Sequence, residues 1–193
     1  MKNSLDFYDN IYSRLFRRKY TKKGDRSVVS LERFEQWRKD NPIEINSVID
    51  VGCAWGKALQ YWKNAGVEKI VGVDVSDVPL QKCRELGFEV YRTSATDLSM
   101  IPNKSFDLYT STDVYEHIRT DDLDESIEEA KRITNKLLLI RVHPSKDRRG
   151  KLHLTVWRLE EWQKFFERHN CKIIPFGENG DMWYYNTFLL KPD

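Results

Sequence analysis

The chain has 193 residues, 40% of them hydrophobic and 12% aromatic, a length that predicts one domain over 1–193 with one sizeable core. Its 32 basic and 30 acidic residues leave a formal net charge of +2, which excludes a bulk attraction to nucleic acid or to a membrane surface.

The first 46 residues differ from the rest and read as a helical cap. Phe7, Tyr8, Tyr12, Phe16 and Tyr20 recur at roughly helical spacing, and LERFEQWRK (31–39) is apolar at 31, 34 and 37. Asn41-Pro42 ends this second helix. From 47 onward strand and helix signals alternate. SVIDVG (47–52) is a buried strand, and GKALQYWKNAG (56–66) is a helix with Ala58, Leu59, Trp62 and Ala65 inward. KIVGVDVS (69–76) is a strand, and VPLQKCRELG (78–87) is a short helix facing inward through Leu80, Cys83 and Leu86. Strands follow at 88–95 and 105–112, then a helix at 120–134 with Thr120 as N-cap and Leu123, Ile127 and Ala130 buried. KLLLIRVH (136–143) is a strand, and RLEEWQKFFERHN (158–170) is a helix with Leu159, Trp162 and Phe166 inward. CKIIPFG (171–177) and MWYYNTFLLK (182–191) read as a closing hairpin with an Asn-Gly turn. Alternating βα units predict a parallel sheet with helices on both faces, and ligands of such sheets bind at the carboxyl ends of the strands. Cys53, Cys83 and Cys171 form no CxxC or disulfide framework, the N-terminus lacks an apolar signal core, and no stretch approaches the roughly 20 apolar residues of a membrane span. The expectation is a cytoplasmic protein with no membrane partner.

The turn after the first strand is DVGCAWG (50–56). A P-loop is absent, and a dinucleotide fingerprint counted from Gly52 meets Ala54 and Lys57 where glycines belong. A different pattern fits. Asp50 stands two before Gly52, small residues occupy 52, 54 and 56, and Asp74 closes the second strand. A carboxylate at 74 can accept both ribose hydroxyls of an adenosine, and Asp50 can sit close to the ammonium of an amino-acid tail. Together they describe S-adenosylmethionine (SAM), which has a ribose, a sulfonium and an amino acid but no phosphate.

DVGCAWG resembles motif I of class I SAM-dependent methyltransferases, D-x-G-C-x-x-G, and VGVDVS (71–76) resembles motif II. ATDL (95–98) followed by PNKSFDLYTSTDVYEHI (102–118) resembles the later motifs, and the match runs in register from about 47 to 143. The resemblance implies a Rossmann-like fold: a seven-stranded, mostly parallel sheet with an antiparallel last strand. It also implies SAM as cofactor, held by Asp50, Gly52, Cys53, Ala54, Trp55 and Gly56 at the first turn and by Asp74, Val75 and Ser76 at the second. Thr96 and Asp97 would meet the adenine, and Thr112, Asp113 and Val114 the methionine end. Trp55 either anchors the first helix or covers the ligand.

Asp113, Glu116 and His117 stand at i, i+3 and i+4, a spacing that can bind a divalent metal or supply a general base. The stretch resembles E-x-x-E-H of two metal-assisted groups, ubiquinone-pathway O-methyltransferases and small-RNA 2′-O-methyltransferases, but the first position here is the shorter aspartate. No metal is assigned, and His117 is placed in the substrate pocket. His143 ends the fifth strand. His153 opens HLTVWRLEEW, which resembles the family's H-x-x-x-[FYW]-[ST]-x-x-E-[LW] segment over the substrate. His117, His143 and His153 are the candidate catalytic residues, as proton acceptors. Arg14, Arg17, Arg18, Lys19, Lys22 and Lys23, and later Lys146, Arg148, Arg149 and Lys151, form two basic clusters suited to an anionic acceptor. The end of strand four holds STDVYE and so does not resemble the N-P-P-[FYW] segment of amino-methyltransferases of adenine or glutamine, which implies oxygen over nitrogen as acceptor. The expected activity is O-methylation of a small molecule or glycan. An RNA-modifying methyltransferase and a SAM-binding protein without turnover are the alternatives, and oligomeric state is left open.

Overall fold

The computed structural model describes residues 5–17, 27–144, 152–177, 181–184 and 186–193. Two helices, α1 (Leu5–Arg17) and α2 (Ser27–Asp40), precede β1 (Ser47–Val51), α3 (Lys57–Asn64), β2 (Lys69–Asp74), α4 (Asp77–Glu85) and β3 (Glu89–Arg92). Then come β4 (Phe106–Thr112), α5 (Leu123–Ile133), β5 (Thr134–Arg141), α6 (Leu159–Arg168), β6 (Cys171–Ile174), β7 (Trp183–Tyr184) and β8 (Thr187–Pro192). The strands lie in the order β3-β2-β1-β4-β5-β8-β6, and the two-residue β7 pairs with the start of β8. β3, β2, β1, β4 and β5 are mutually parallel, while β8 runs antiparallel to both β5 and β6. This is the expected seven-stranded, mostly parallel path with a reversed last strand.

β1 is central and buried on both faces, so SVIDV reads as a continuous apolar run broken only by Asp50. Alternation along the strands divides the core. Ile49, Val51, Val73 and Leu138 pack with Ile127 of α5 and Trp162 and Phe166 of α6. Val48, Leu108, Leu139 and Leu189 face the other way, with Ala58 and Trp62 of α3 and Leu31 and Phe34 of α2. Phe34 meets Trp62 edge-on, and the Ser30 hydroxyl is 2.7 Å from that of Thr187, so α2 is tied to the sheet. No helix among the described residues is long and apolar enough to cross a membrane.

Several elements differ from their predicted form. Thr120 does not cap α5: residues 120–122 make a separate 3-10 turn, α5 starts at Leu123, and the Thr120 hydroxyl pairs with Thr155. Leu86 is 41% exposed, because α4 ends at Glu85 and its buried face is Pro79, Leu80 and Cys83. The closing hairpin is not a simple two-strand unit. β6 and β8 are paired, but β7 pairs with the start of β8 next to Asn186, which has φ 61°. Asn179 and Gly180 of the expected turn lie outside the described residues.

Candidate active site

Strand order reverses between β1 and β4, so their carboxyl ends flank a crevice. The turn leaving β1 folds back over β2: the amides of Gly52 and Cys53 donate to the Val73 carbonyl at 2.7 and 2.9 Å. Gly52 has φ +85°, and a Cβ built there would lie 2.1 Å from Cγ2 of Val114, so only glycine fits this approach. Ala54 also takes positive φ, at 43°. Its amide donates to Asp74 Oδ2 at 3.0 Å, which offsets the conformational cost. The Cys53 thiol is packed in a small core cluster with Leu59, Leu80, Cys83 and Phe88, so this cysteine can face a ligand only through its backbone.

Both acidic residues at the strand ends are buried. Asp50 accepts a 2.7 Å hydrogen bond from the Thr110 hydroxyl on β4. Asp74 accepts the Ala54 and Ser76 amides. Burial pushes its carboxyl up to about 6, opposed by those hydrogen bonds and by one from the Tyr12 side chain.

Tyr12 belongs to α1, which covers this turn. Trp55 is half-buried and meets the Tyr12 ring edge-on, with centroids 6.0 Å apart. Asp9 pins the helix. Its Oδ1 accepts the Ser76 hydroxyl at 2.6 Å and the Asp77 amide at 2.8 Å, and its Oδ2 accepts Arg92 at 2.8 Å. Asp9 thereby supplies an acceptor at the N-terminus of α4, where orphan amides need one. Burial pushes the Tyr8 phenol up to about 12, with the charges of Asp74 and Glu116 adding to the effect. Tyr8 is thus close to both halves of the site. The Val75 carbonyl accepts Arg92. Thr96 pairs with the Ser94 hydroxyl. Asp97 is exposed, and its Oδ1 accepts the amide and hydroxyl of Ser99, a turn-capping arrangement.

The second half of the site follows β4. Asp113, just past Thr112, has φ 55°, and the 3-10 turn Tyr115–His117 begins only after Val114. The backbone is not helical at 113, so the expected face of Asp113, Glu116 and His117 does not form. The Asp113 carboxylate pairs instead with the buried guanidinium of Arg141, at the end of β5. Glu116 is 0% exposed, and neither of its carboxylate oxygens has a partner of good hydrogen-bond geometry, the backbone amides of Glu116 and His143 being the polar groups nearest them. Burial, and then the charge of Asp113, raise its carboxyl well above the usual range.

The chain from 152 to 157 crosses this turn. Leu154 and Thr155 donate their amides to the Glu116 carbonyl at 2.7 and 3.1 Å, and the Thr155 hydroxyl donates to the Ile118 carbonyl. His117 Nδ1 is 2.9 Å from the Leu152 carbonyl, so this nitrogen carries the proton and Nε2 is the basic one. The His153 ring is 5.0 Å, centroid to centroid, from both His117 and His143. All three predicted histidines therefore meet at one place. Of the two basic clusters, only Arg14 has a described side chain, exposed on α1, and the 146–151 cluster lies outside the described residues.

The methyltransferase domain family model matches residues 49–137, from β1 into β5. Residues 49–137 are thus similar in sequence to a methyltransferase domain. Among solved structures, the 1,6-didemethyltoxoflavin-N1-methyltransferase of Burkholderia thailandensis is similar with a TM-score of 0.70 at 9% identity, over 100% of this chain and 92% of that one. That structure holds 1,6-didemethyltoxoflavin and S-adenosylhomocysteine. A SAM-dependent methyltransferase from Archaeoglobus fulgidus gives 0.63 at 23% identity, over 86% and 79% of the two chains. At these identities the likeness is one of fold. An uncharacterized protein of Haemophilus influenzae is 28% identical over 114 residues, 44% of this chain, and the match spans 45% of that relative's length.

Tyr8, Asp9 and Tyr12 of α1 were not among the predicted site residues. The available signal was the i, i+4 spacing of two tyrosines flanking an acid, which marks a common helical face without saying what it docks on. Arg141 was missed because a lone arginine in a strand carries no motif.

Proposed function

We propose that the chain transfers a methyl group from SAM to a hydroxyl oxygen of a small-molecule or glycan acceptor. The observation that supports this reading is the meeting of His117, His143 and His153 in the half of the site that follows β4, beside the turn that carries Asp50 and Asp74. The residues at the turn fit the cofactor. Asp74 is a buried carboxylate held by two backbone amides, suited to a ribose diol, and Gly52 keeps the backbone clear of side-chain bulk. Asp50 is the acid for the amino-acid ammonium, with the backbone from Gly52 to Gly56, Val75 and Ser76 completing the cradle. Thr96 and Asp97 lie toward the adenine, and Thr112, Asp113 and Val114 toward the methionine end.

SAM supplies a methyl already activated by its sulfonium, so the protein's work is alignment, desolvation and proton removal. The Leu152 carbonyl holds His117 in the tautomer whose Nε2 accepts a proton. His153 and His143 stand next in line to take or pass it on. The basic residues at 14–23 and 146–151 support an anionic acceptor.

Calorimetry with SAM and S-adenosylhomocysteine, followed by methyl transfer to a panel of hydroxyl acceptors, tests the reading. Stoichiometric cofactor binding and an O-methylated product are expected. Failure to bind either cofactor form would sink it. Binding without turnover on any acceptor would replace it with a SAM-binding protein, and RNA binding that falls steeply with salt would replace it with RNA modification.

A further inference from the structure

Three of the chain's four histidines stand together, and two of them, His117 and His153, lie against the most thoroughly buried acid of the site. Glu116 is fully buried, and no partner of good hydrogen-bond geometry holds either carboxylate oxygen; the polar groups nearest it are the backbone amides of Glu116 itself and His143. Protonation alone does not resolve this, since the O–H so formed would need an acceptor, and the nearby backbone amides are donors. A cation satisfies the carboxylate. The carboxylate of Glu116 and one ring nitrogen each of His117 and His153 already lie within 4.8 Å of one another. Ligand atoms on a tetrahedral ion with bonds of about 2.1 Å are about 3.4 Å apart, a closure within reach of side-chain rotation. The hydrogen bond from His117 Nδ1 to the Leu152 carbonyl is the outer contact that orients an imidazole ligand and commits its other nitrogen to a metal. Both elements that carry the donors are tied together at the Glu116 carbonyl, so the set is preassembled.

We propose that Glu116, His117 and His153 bind a first-row transition-metal dication of the Zn²⁺ class, without Asp113. The salt bridge to Arg141 takes Asp113 out of the set. Two imidazoles and one carboxylate suit Zn²⁺, Co²⁺ or Fe²⁺, whereas Mg²⁺ prefers oxygen ligands throughout. Three protein ligands leave a fourth position open. Its use, binding an acceptor hydroxyl and lowering its pKa, rests on the O-methylation reading, and with the ion bound His117 and His153 serve as ligands and His143 is left as the proton acceptor; the binding of the ion does not rest on that reading.

The test is titration of chelator-treated, dialysed full-length protein with Co²⁺ and then Zn²⁺. One equivalent of Co²⁺ should give visible d–d absorption that Zn²⁺ abolishes, and Zn²⁺ should raise the thermal midpoint. His153→Ala and Glu116→Gln should each weaken binding by about 100-fold or more. His169→Gln, which alters the fourth histidine on α6's exposed end, should leave it unchanged. SAM calorimetry on the same samples separates the two claims. SAM binding without a Co²⁺ spectrum, or metal binding that survives in both cluster variants, would overturn the metal site. A metal-dependent midpoint shift in the wild type that is absent from a folded, SAM-binding His153→Ala would support it.

Discussion

Asp74 is the residue on which the proposed cofactor contacts converge, and burial sets its behaviour. Its carboxyl titrates near 6 in the folded protein against a usual 3.8. The folded state therefore holds the proton more tightly, and this group's contribution to stability falls as pH rises through the window from about 4 to 6. Cofactor binding has the opposite sign, because ribose hydroxyls are donors and want the anion. SAM affinity should rise by up to roughly tenfold per pH unit below about 6 and level off above it, read by calorimetry across that range. Asp74→Ala should weaken SAM binding by about 1–3 kcal/mol, the scale of lost buried hydrogen bonds; an unchanged Kd would remove the ribose assignment. Gly52→Ala should lower unfolding stability by about 1–3 kcal/mol, since the new methyl meets Val114 at a left-handed backbone position. A denaturant midpoint that does not move would show that Val114 can give way.

At the scale of elements, α1 and the 152–157 segment complete the site from opposite directions along the chain. The pattern of Phe7, Tyr8 and Tyr12 was enough to predict a helix, but not its docking on the α4 N-terminus through Asp9. Asp9→Ala removes three hydrogen bonds that hold α1. Amide exchange should speed up in α1 while the protection of β1 and β4 stays as it was. Equal loss of protection in β1 would mean that α1 is part of the global folding unit. The stretch after β4 teaches the converse lesson. Helical spacing grouped Asp113 with Glu116 and His117, whereas the left-handed backbone at 113 leaves it paired with Arg141, and the 152–157 segment brings His153 to the other two. Residue spacing predicts a shared face only where the backbone is helical, and here three residues of 3-10 turn replace the helix.

For the whole molecule, β8 is the strand that closes the sheet, wedged between β5 and β6 with both pairings antiparallel. Leu190 is opposite Leu138 on one side and Ile173 on the other, and is 0% exposed. Leu190→Ala should cost about 2–5 kcal/mol in urea unfolding, as a cavity in a layer shared by three strands. A cost below about 1 kcal/mol would mean that this edge of the sheet repacks freely.

The sequence by itself determined the order of strands and helices, the tight glycine turn after β1 and the acid at the end of β2. Each of these is local: apolar runs declare buried strands, and close backbone approach demands small residues within a few positions. Tertiary structure alone decided that α1 lies over Asp74, that Arg141 claims Asp113, and that His117 and His153 meet at Glu116, with His143 beside His153. Those contacts join residues far apart in the chain, where no spacing rule operates and only the packing of the sheet's carboxyl edge brings them together.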